Sequence, residues 1–322
     1  MAAVACATAG AVTALTVLSA CSSATDVKKA GASASSSESS AASSAPPEPT
    51  LPPKPAAVSP AEFTQALANV DAAIAPGFTQ LKAADTPKKL SAALDAAAEG
   101  ARSAADAFEQ VAPPEAAISA ASSLRNALVE LPGDLGDLST AASKNKVCTA
   151  ASAVPEAAKL GGLTALRDAA AALAAVDPAY KVGTFAPAAQ DEPSRQGSTG
   201  QLSGGQRGGL GELTVKNQSG AEDALVKLTS GGKTVREIYV RGGDETTVKG
   251  IPDGTLTAYY ATGTDWDGDA KKFTRSCAFQ KFDDTLSYET TRTQYTTYSL
   301  TLYTIAGGNA TISDIPPDQF PS

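Results

Sequence analysis

Two spacings of hydrophobic residues divide the chain into a helical part and a strand part. Between residues 59 and 183, apolar side chains recur every three or four positions, which is the period of amphipathic helices. Ser59, Pro60 and Glu62 form a capping-box sequence with proline at the first helical position. The pattern predicts four to five helices with short connections and alanine-rich seams, arranged as an antiparallel bundle.

Prolines and glycines set the predicted helix boundaries. The third helix is expected to end near Pro132 and Gly133, because proline cannot donate the hydrogen bond that continues a helix. The fourth helix is expected to break at Gly161 and Gly162, to resume, and to stop before Pro178.

From residue 212 onward, apolar side chains recur at every second position, which is the period of a strand with one apolar face. The runs are short, and turn-forming residues separate them. Seven or eight such strands predict an antiparallel β-sandwich over residues 212–322. The predicted turns lie at residues 230–232, 242–244, 252–254 and 283–284.

Two segments lack any apolar period. Residues 21–58 consist mainly of Ser, Ala and Pro, and residues 184–211 are rich in Gly, Gln, Ser and Pro. Such compositions cannot bury enough apolar surface to fold alone. We therefore expect a disordered stalk over 21–58 and a flexible linker over 184–211.

The uncharged, apolar segment at residues 1–20 ends in Leu18, Ser19 and Ala20, directly before Cys21. This ending resembles the lipobox of bacterial lipoproteins, which implies a signal peptide over 1–20 and a lipid on Cys21. The resemblance places the chain outside the cytoplasm, with the membrane as partner through its lipid anchor. An uncleaved membrane-spanning helix is the alternative. No Lys or Arg precedes the apolar run, and a start codon further upstream would explain this departure.

The whole arrangement resembles actinobacterial surface lipoproteins, a resemblance that implies a location and no activity. Within the strand part, residues 251–257 resemble the proline-x-glycine corner of transthyretin-like and carboxypeptidase-regulatory-like β-sandwiches. That second resemblance implies a fold for the strand part and nothing about a ligand.

Charge and composition narrow the possible functions. The formal net charge is −8, and neither part carries a basic stripe, so we expect no nucleic-acid partner. The chain contains no histidine, which excludes Ser-His-Asp catalysis, Cys-His catalysis and zinc sites with histidine ligands.

Two short motifs suggest a nucleotide site. Residues 202–207 read LSGGQR, which resembles the signature loop of ABC-type ATPases, and Gly232, Lys233 and Thr234 resemble the end of a Walker A loop. Lys227 stands where Walker A requires glycine, and the second motif lies between two predicted strands instead of before a helix. We therefore expect a hairpin turn there and no nucleotide.

An acidic run offers a weak metal site. Asp265, Asp267 and Asp269 alternate along one loop, and carboxylate oxygens are ligands for calcium. The run fails as an EF-hand, because Ala270 and Ser276 replace the required glycine and glutamate. The alternative is a solvated acidic turn between two strands, and no other cofactor is expected.

Aromatic residues of the strand part suggest a binding face. The tyrosines fall on the more polar side of their strands, and a tryptophan lies in the acidic run. Exposed aromatic rings stack on sugars or receive a protein partner. The alternative is that they pack against the rest of the molecule. The candidates are Trp266, Tyr239, Tyr259, Tyr295 and Tyr303.

Cys148 and Cys277 lie in different parts of the chain. An exported protein permits a disulfide between them, which would join the two parts. We favour two separate buried thiols, because burial is the usual fate of an unpaired cysteine.

These features favour a non-catalytic module that binds cell-wall glycan or an envelope protein. The alternatives are a hydrolase of envelope polymers that uses paired carboxylates, with Lys271, Lys272 and Arg275 nearby, and a purely structural envelope protein.

Overall fold

A computed structural model describes residues 56–202, 208–218, 220–302 and 311–322. All of these residues belong to one compact unit. The predicted signal peptide, Cys21 and all but the last three residues of the predicted stalk lie outside the described residues.

Five α-helices and nine strands lie in the described residues, with the helices first. The helices are α1 Pro60–Ala83, α2 Pro87–Glu109, α3 Ile118–Ser143, α4 Ala150–Ala158 and α5 Gly161–Val176, and a 3-10 turn, Glu115–Ala117, precedes α3. At the start of α1 the Glu62 N–H donates to the Ser59 hydroxyl, and the Ser59 N–H donates to the Glu62 carboxylate, so the predicted capping box is present.

Buried side chains from all five described helices form one hydrophobic core. Small residues bring α1 and α2 close together. A Cβ added to Gly77 of α1 would lie 2.6 Å from the Cβ of Ala97, and one added to Gly100 of α2 would lie 2.2 Å from the carbonyl oxygen of Ala73. The two helices therefore approach at distances that only glycine permits at these positions.

The predicted end of the third helix at Pro132 is wrong. α3 continues to Ser143, and Leu135, Leu138 and Ala142 lie buried along this continuation. Burial of these side chains outweighs the one helical hydrogen bond that Pro132 cannot donate. The predicted break at Gly161 is correct, because α4 ends at Ala158 and α5 begins at Gly161.

The strands follow the helices in the chain. They are β1 Gly200–Gln201, β2 Gly211–Lys216, β3 Asp223–Ser230, β4 Lys233–Val240, β5 Glu245–Ile251, β6 Gly254–Asp267, β7 Lys272–Tyr288, β8 Thr297–Thr301 and β9 Ile312–Asp314. Within the described residues they form a six-stranded antiparallel sheet in the order β1-β4-β3-β6-β7-β9 and a three-stranded sheet in the order β5-β2-β8, in which β2 and β8 run parallel. The predicted order, helices followed by mostly antiparallel strands, is confirmed.

The larger sheet is buried on both faces along β3 and β4. One face shares a core with β2 and β8 of the smaller sheet, through Leu213, Val215 and Leu300. The opposite face, here called the outer face, carries a second apolar cluster that includes Cys148 from the helical part. The strand residues of that cluster are Leu225, Tyr239, Ala261, Trp266, Phe273 and Cys277.

The turn predicted at residues 283–284 lies inside a strand, whereas an acidic turn between two strands is present at residues 268–271. Asp283 and Asp284 are part of β7, which runs for 17 residues, and Asp265 and Asp267 are part of β6. β6 and β7 pair along most of their length, with register shifts between Thr257 and Tyr259 and between Thr262 and Thr264. The Asp283 N–H donates to the Thr311 carbonyl oxygen at 3.0 Å.

The predicted flexible linker makes specific contacts where it is described. Residues 184–202, here called the connecting segment, contact both parts of the molecule. Lys159, directly after α4, forms a 2.8 Å ion pair with Glu192 of this segment, and the same carboxylate lies 3.0 Å from the guanidinium of Arg275 in β7. Further along, Gly200 and Gln201 pair with β4 as strand β1.

Candidate functional site

The helical and strand parts meet where the loop between α3 and α4, residues 144–149, runs beside β7. The Cys148 N–H donates to the Thr274 carbonyl oxygen at 2.8 Å, and the Cys277 N–H donates to the Asn145 carbonyl oxygen at 2.9 Å. The loop therefore adds to β7 much as an extra strand would.

A disulfide joins Cys148 and Cys277 at this junction, with their Cα atoms 6.4 Å apart. Our preference for two separate buried thiols is wrong. Both cysteines are buried, as expected, but they are buried against each other. The backbone pairing of the loop with β7 brings the two Cα atoms to a distance that a disulfide can span, which the spacing in sequence does not reveal.

A cleft of about 490 Å³ opens beside this junction. It is bounded by the outer face, the loop between α1 and α2, the start of α4, and residues 317–322. Its volume falls within the range of small-molecule sites. Its apolar walls are Leu225, Ala261, Trp266, Phe273, Phe279 and Phe320, and its polar groups include Thr149, Lys227, Glu237 and Lys271.

An ion-pair triad lines one side of the cleft. The Glu237 carboxylate lies 3.1 Å from the ammonium group of Lys227 and 2.8 Å from that of Lys271. The side chains of Lys227 and Glu237 are only 6% and 7% exposed, whereas that of Lys271 is 51% exposed. The triad thus carries one net positive charge, and its accessible member is Lys271.

The environment keeps Glu237 ionised. Burial on its own would raise the pKa of this carboxyl, but hydrogen bonds from Lys271 and Lys227 outweigh burial and hold the pKa below its usual value. Glu237 is therefore suited to holding two cations in place and unsuited to donating a proton near neutral pH.

The cleft also contains a polar group without a protein partner. The hydroxyl of Thr149 is buried and makes no hydrogen bond within the described residues. Thr149 is the N-cap residue of α4, yet its side chain does not cap that helix. Buried hydroxyls are normally hydrogen-bonded, so this one lacks the partner that such a group usually has.

Arg195 of the connecting segment holds the acidic run of β6. Its guanidinium lies 2.8 Å from the Asp265 carboxylate and 3.0 Å from that of Asp267. Thr274 also donates to Asp265. Burial on its own would raise the pKa of Asp265, but the hydrogen bonds from Arg195 and Thr274 outweigh it, so the pKa is lowered.

This arrangement differs from the weak calcium site that the acidic run suggested. The cation between Asp265 and Asp267 is the Arg195 guanidinium, and Asp269 is exposed on the following turn. Within the described residues, no group of three or more Asp, Glu or Cys side chains is placed to hold a metal ion.

The predicted aromatic binding face is not formed by the described residues. Trp266 and Tyr239 are buried on the outer face, with ring centroids 5.1 Å apart. Tyr259 is half-buried opposite Lys227, and Tyr295 is 45% exposed near the other sheet. Tyr303 lies outside the described residues. The face that we expected to be open is covered by the helical part and the connecting segment.

Tyr239 belongs instead to a buried polar network. Its hydroxyl donates to the Asp223 carboxylate and accepts from the Gly197 N–H at 3.0 Å. Burial and the hydrogen bond to Asp223 raise the pKa of Tyr239 far above its usual value. The network fixes the connecting segment against β3 and β4.

The hairpin predicted at Gly232 is confirmed. Gly231 and Gly232 form the two-residue turn between β3 and β4, with φ angles of 54° and 79° that favour glycine. No helix follows the turn, so the backbone of a Walker A loop is not formed there. Residues 203–207 of the LSGGQR motif lie outside the described residues.

One pair of carboxylates has pKa values shifted in opposite directions. Burial, helped by the charge of Glu192, raises the pKa of Glu156, whereas the hydrogen bond from Lys159 lowers the pKa of Glu192. Such a difference occurs in carboxylate-based hydrolases. Neither residue lines the cleft, and Lys159 and Arg275 already pair with Glu192.

No family model, curated protein or solved structure matches this chain. None of the helices in the described residues is long and apolar enough to cross a membrane.

Our sequence reasoning missed the triad and Arg195, although one signal was present. Lys227 interrupts the apolar run of β3, and Glu237 stands beside the apolar end of β4. The two residues are direct partners across the hairpin. The signal is a pair of opposite charges on the two strands of a predicted hairpin. Their register depends on a bulge between Leu228 and Thr229, because Lys227 lies four positions before the Gly-Gly turn and Glu237 lies five positions after it. Arg195 gave no comparable signal, because its segment lacks any periodic pattern.

Proposed function

We propose that this chain is an exported lipoprotein, held at the membrane by a lipid on Cys21, that binds a ligand outside the cytoplasm without catalysing a reaction. A helical bundle and a β-sandwich form the scaffold, and the cleft between them receives the ligand. The ligand comes from the envelope, as a cell-wall glycan or a protein segment.

The cleft is the observation that supports binding. It combines aromatic walls with the partly accessible Lys271 and the unpartnered Thr149 hydroxyl. Apolar walls with a few fixed polar groups are typical of ligand sites. The Cys148–Cys277 disulfide fits an oxidising compartment and so supports export.

A purely structural envelope protein is the second candidate. The burial of Trp266 and Tyr239 under the helical part favours it, because these aromatics then stabilise the junction instead of meeting a partner.

Trp266 provides a direct test, because it is the only tryptophan in the chain and it lines the cleft. Its emission is recorded while the purified chain is titrated with soluble cell-wall glycan fragments, and separately with solubilised envelope protein. We expect one of these fractions to produce a saturable change in emission.

Two substitutions of exposed alanines by phenylalanine show whether ligand binding in the cleft causes the change in emission. Ala270 lies at the cleft and is exposed, so Ala270→Phe should obstruct entry and abolish the change. Ala68 is exposed on α1 away from the cleft, so the control Ala68→Phe should behave like wild type. An emission change that survives Ala270→Phe, or no change with either fraction, would contradict binding in the cleft and favour the structural candidate.

Two further measurements address the remaining parts of the proposal. Mass spectrometry of the recovered ligand should find it intact, and cleavage products would favour a hydrolase. Radiolabelled palmitate should enter the wild-type chain in its native host and not Cys21→Ala. Equal labelling of the two would remove Cys21 as the anchor.

A further inference from the structure

Residues 317–322 lie along the edge of the cleft in the manner of a bound peptide. The Lys227 ammonium group donates to the Pro321 carbonyl oxygen at 2.9 Å, and the Thr234 hydroxyl donates to the Ser322 carbonyl oxygen at 2.9 Å. These donors belong to adjacent strands, β3 and β4, and both contact backbone atoms of the segment.

One aromatic side chain anchors the segment. The ring of Phe320 packs on Phe279 with centroids 5.5 Å apart, and the Lys227 ammonium lies 5.5 Å from the centroid of the Phe320 ring. The ring of Phe320 thus forms part of the cleft wall and rests against both an aromatic ring and a cation.

The segment is weakly attached compared with the strands around it. Its own 3-10 turn, Pro317–Gln319, is closed by local bonds, and none of its residues is fully buried. A segment held by two side-chain donors and one half-buried ring can leave its site without unfolding the core.

We infer that this edge of the cleft recognises an extended peptide with an aromatic side chain, and that residues 317–322 occupy the same positions within the chain itself. The inference rests on the proposed function and names the partner class. Two donors aimed at backbone carbonyls accept many sequences, whereas the Phe279 surface selects an aromatic ring, a division of roles typical of peptide-binding sites.

The internal segment then competes with the external peptide. If residues 317–322 occupy the edge about nine-tenths of the time, the apparent affinity for a peptide falls roughly tenfold. Loosening the segment should restore the intrinsic affinity.

The test uses a synthetic peptide with the sequence of residues 315–322, IPPDQFPS, amidated at its end and titrated against full chains with Trp266 emission and calorimetry as readouts. Phe320→Ala should bind this peptide about tenfold more tightly than wild type, and Pro321→Gly should give an intermediate increase. The matched control Tyr295→Ala removes an exposed aromatic away from the cleft and should leave the wild-type affinity unchanged.

A second peptide, IPPDQAPS, tests the aromatic requirement and should not bind Phe320→Ala measurably. Equal affinity of IPPDQFPS for wild type, Phe320→Ala and Pro321→Gly, or equal binding of the two peptides, would overturn the inference. Thermal melting monitored by circular dichroism shows that each variant is folded before titration.

The two proposals fail in different ways. If the peptides bind as expected and neither envelope fraction changes Trp266 emission, the peptide site is supported and the envelope ligand is refuted. Capture of glycan alone, with no peptide binding, would keep the binding module and refute the partner class argued here.

Discussion

Replacing both Cys148 and Cys277 with alanine should lower the free energy of unfolding by several kcal/mol. The two cysteines are 129 residues apart in the sequence, so their bond closes a long loop in the unfolded chain. With the chain-entropy relation for cross-links, a loop of this length corresponds to about 5 kcal/mol near room temperature. Observed losses are often smaller, and we expect about 2–5 kcal/mol.

The folded state should survive this change. The loop between α3 and α4 remains attached to β7 through backbone hydrogen bonds from Cys148 and Cys277, which alanine retains. The Ser152 hydroxyl, which donates to the Thr274 carbonyl oxygen at 2.6 Å, adds a further bond at the same place. The loss of stability should therefore arise chiefly from the unfolded chain, whose freedom the cross-link limits.

Urea unfolding followed by circular dichroism measures the effect, with and without dithiothreitol. Reductant should destabilise the wild type by an amount close to that of the double variant and should leave the double variant unchanged. The reasoning is refuted if the double variant matches oxidised wild type within about 0.5 kcal/mol, or if thiol titration finds both cysteines free in the native oxidised protein.

Four other substitutions test the packing and the electrostatics by urea unfolding. Gly100→Ala should lower the free energy of unfolding by about 1–3 kcal/mol, because its methyl group would meet the Ala73 carbonyl. Gly136→Ala in α3 has open space around it and should raise the free energy of unfolding by about 0.5–1 kcal/mol. Equal effects of the two substitutions would contradict the close approach of α1 and α2. The pKa of Asp265 is lower in the folded state than in the unfolded state, so its contribution is present above about pH 4 and is lost as pH falls through the folded value. Asp265→Asn should therefore lower the free energy of unfolding at pH 7, and this free energy should depend less steeply on pH below about 4. An unchanged dependence on pH in this range would argue against the ion pair of Asp265 with Arg195. Tyr239→Phe should cost about 1–3 kcal/mol, because it leaves the Gly197 N–H and one Asp223 oxygen without this partner, and a neutral result would argue against the buried network.

The periodic patterns predicted most of the secondary structure because burial of one face dominates each element. The strand pattern held at the β3–β4 hairpin, where a local rule for glycine agrees with the pairing of the flanking strands. The predicted end of α3 at Pro132 was wrong because we gave the proline rule more weight than the apolar period, which continues through Leu135 and Leu138. Proline removes one hydrogen bond, and three buried side chains more than offset it.

Our prediction that Trp266 and Tyr239 lie on an open face was wrong for a different reason. The alternation of apolar and polar residues correctly assigns side chains to the two faces of a strand, but it does not predict what packs against the second face. β3 gave the one available signal, because Ala224, Leu225 and Val226 are consecutive apolar residues, a run typical of strands buried on both faces. We interpreted that run as a strand with only one buried face, and this error led us to predict an open binding face on the other side.

The cleft could not be predicted from either part alone, because its walls come from separate regions of the chain. Thr149 precedes α4, Lys227 and Glu237 lie on the hairpin, and Phe320 belongs to the segment at residues 317–322. These groups meet because the Cys148–Cys277 bond and the backbone pairing beside it fix the helical part over the outer face. Since the backbone pairing and the Ser152 bond remain after reduction of the disulfide, the folded chain should keep its ligand affinity while it loses stability. A large loss of affinity on reduction would show that the disulfide itself sets the cleft geometry.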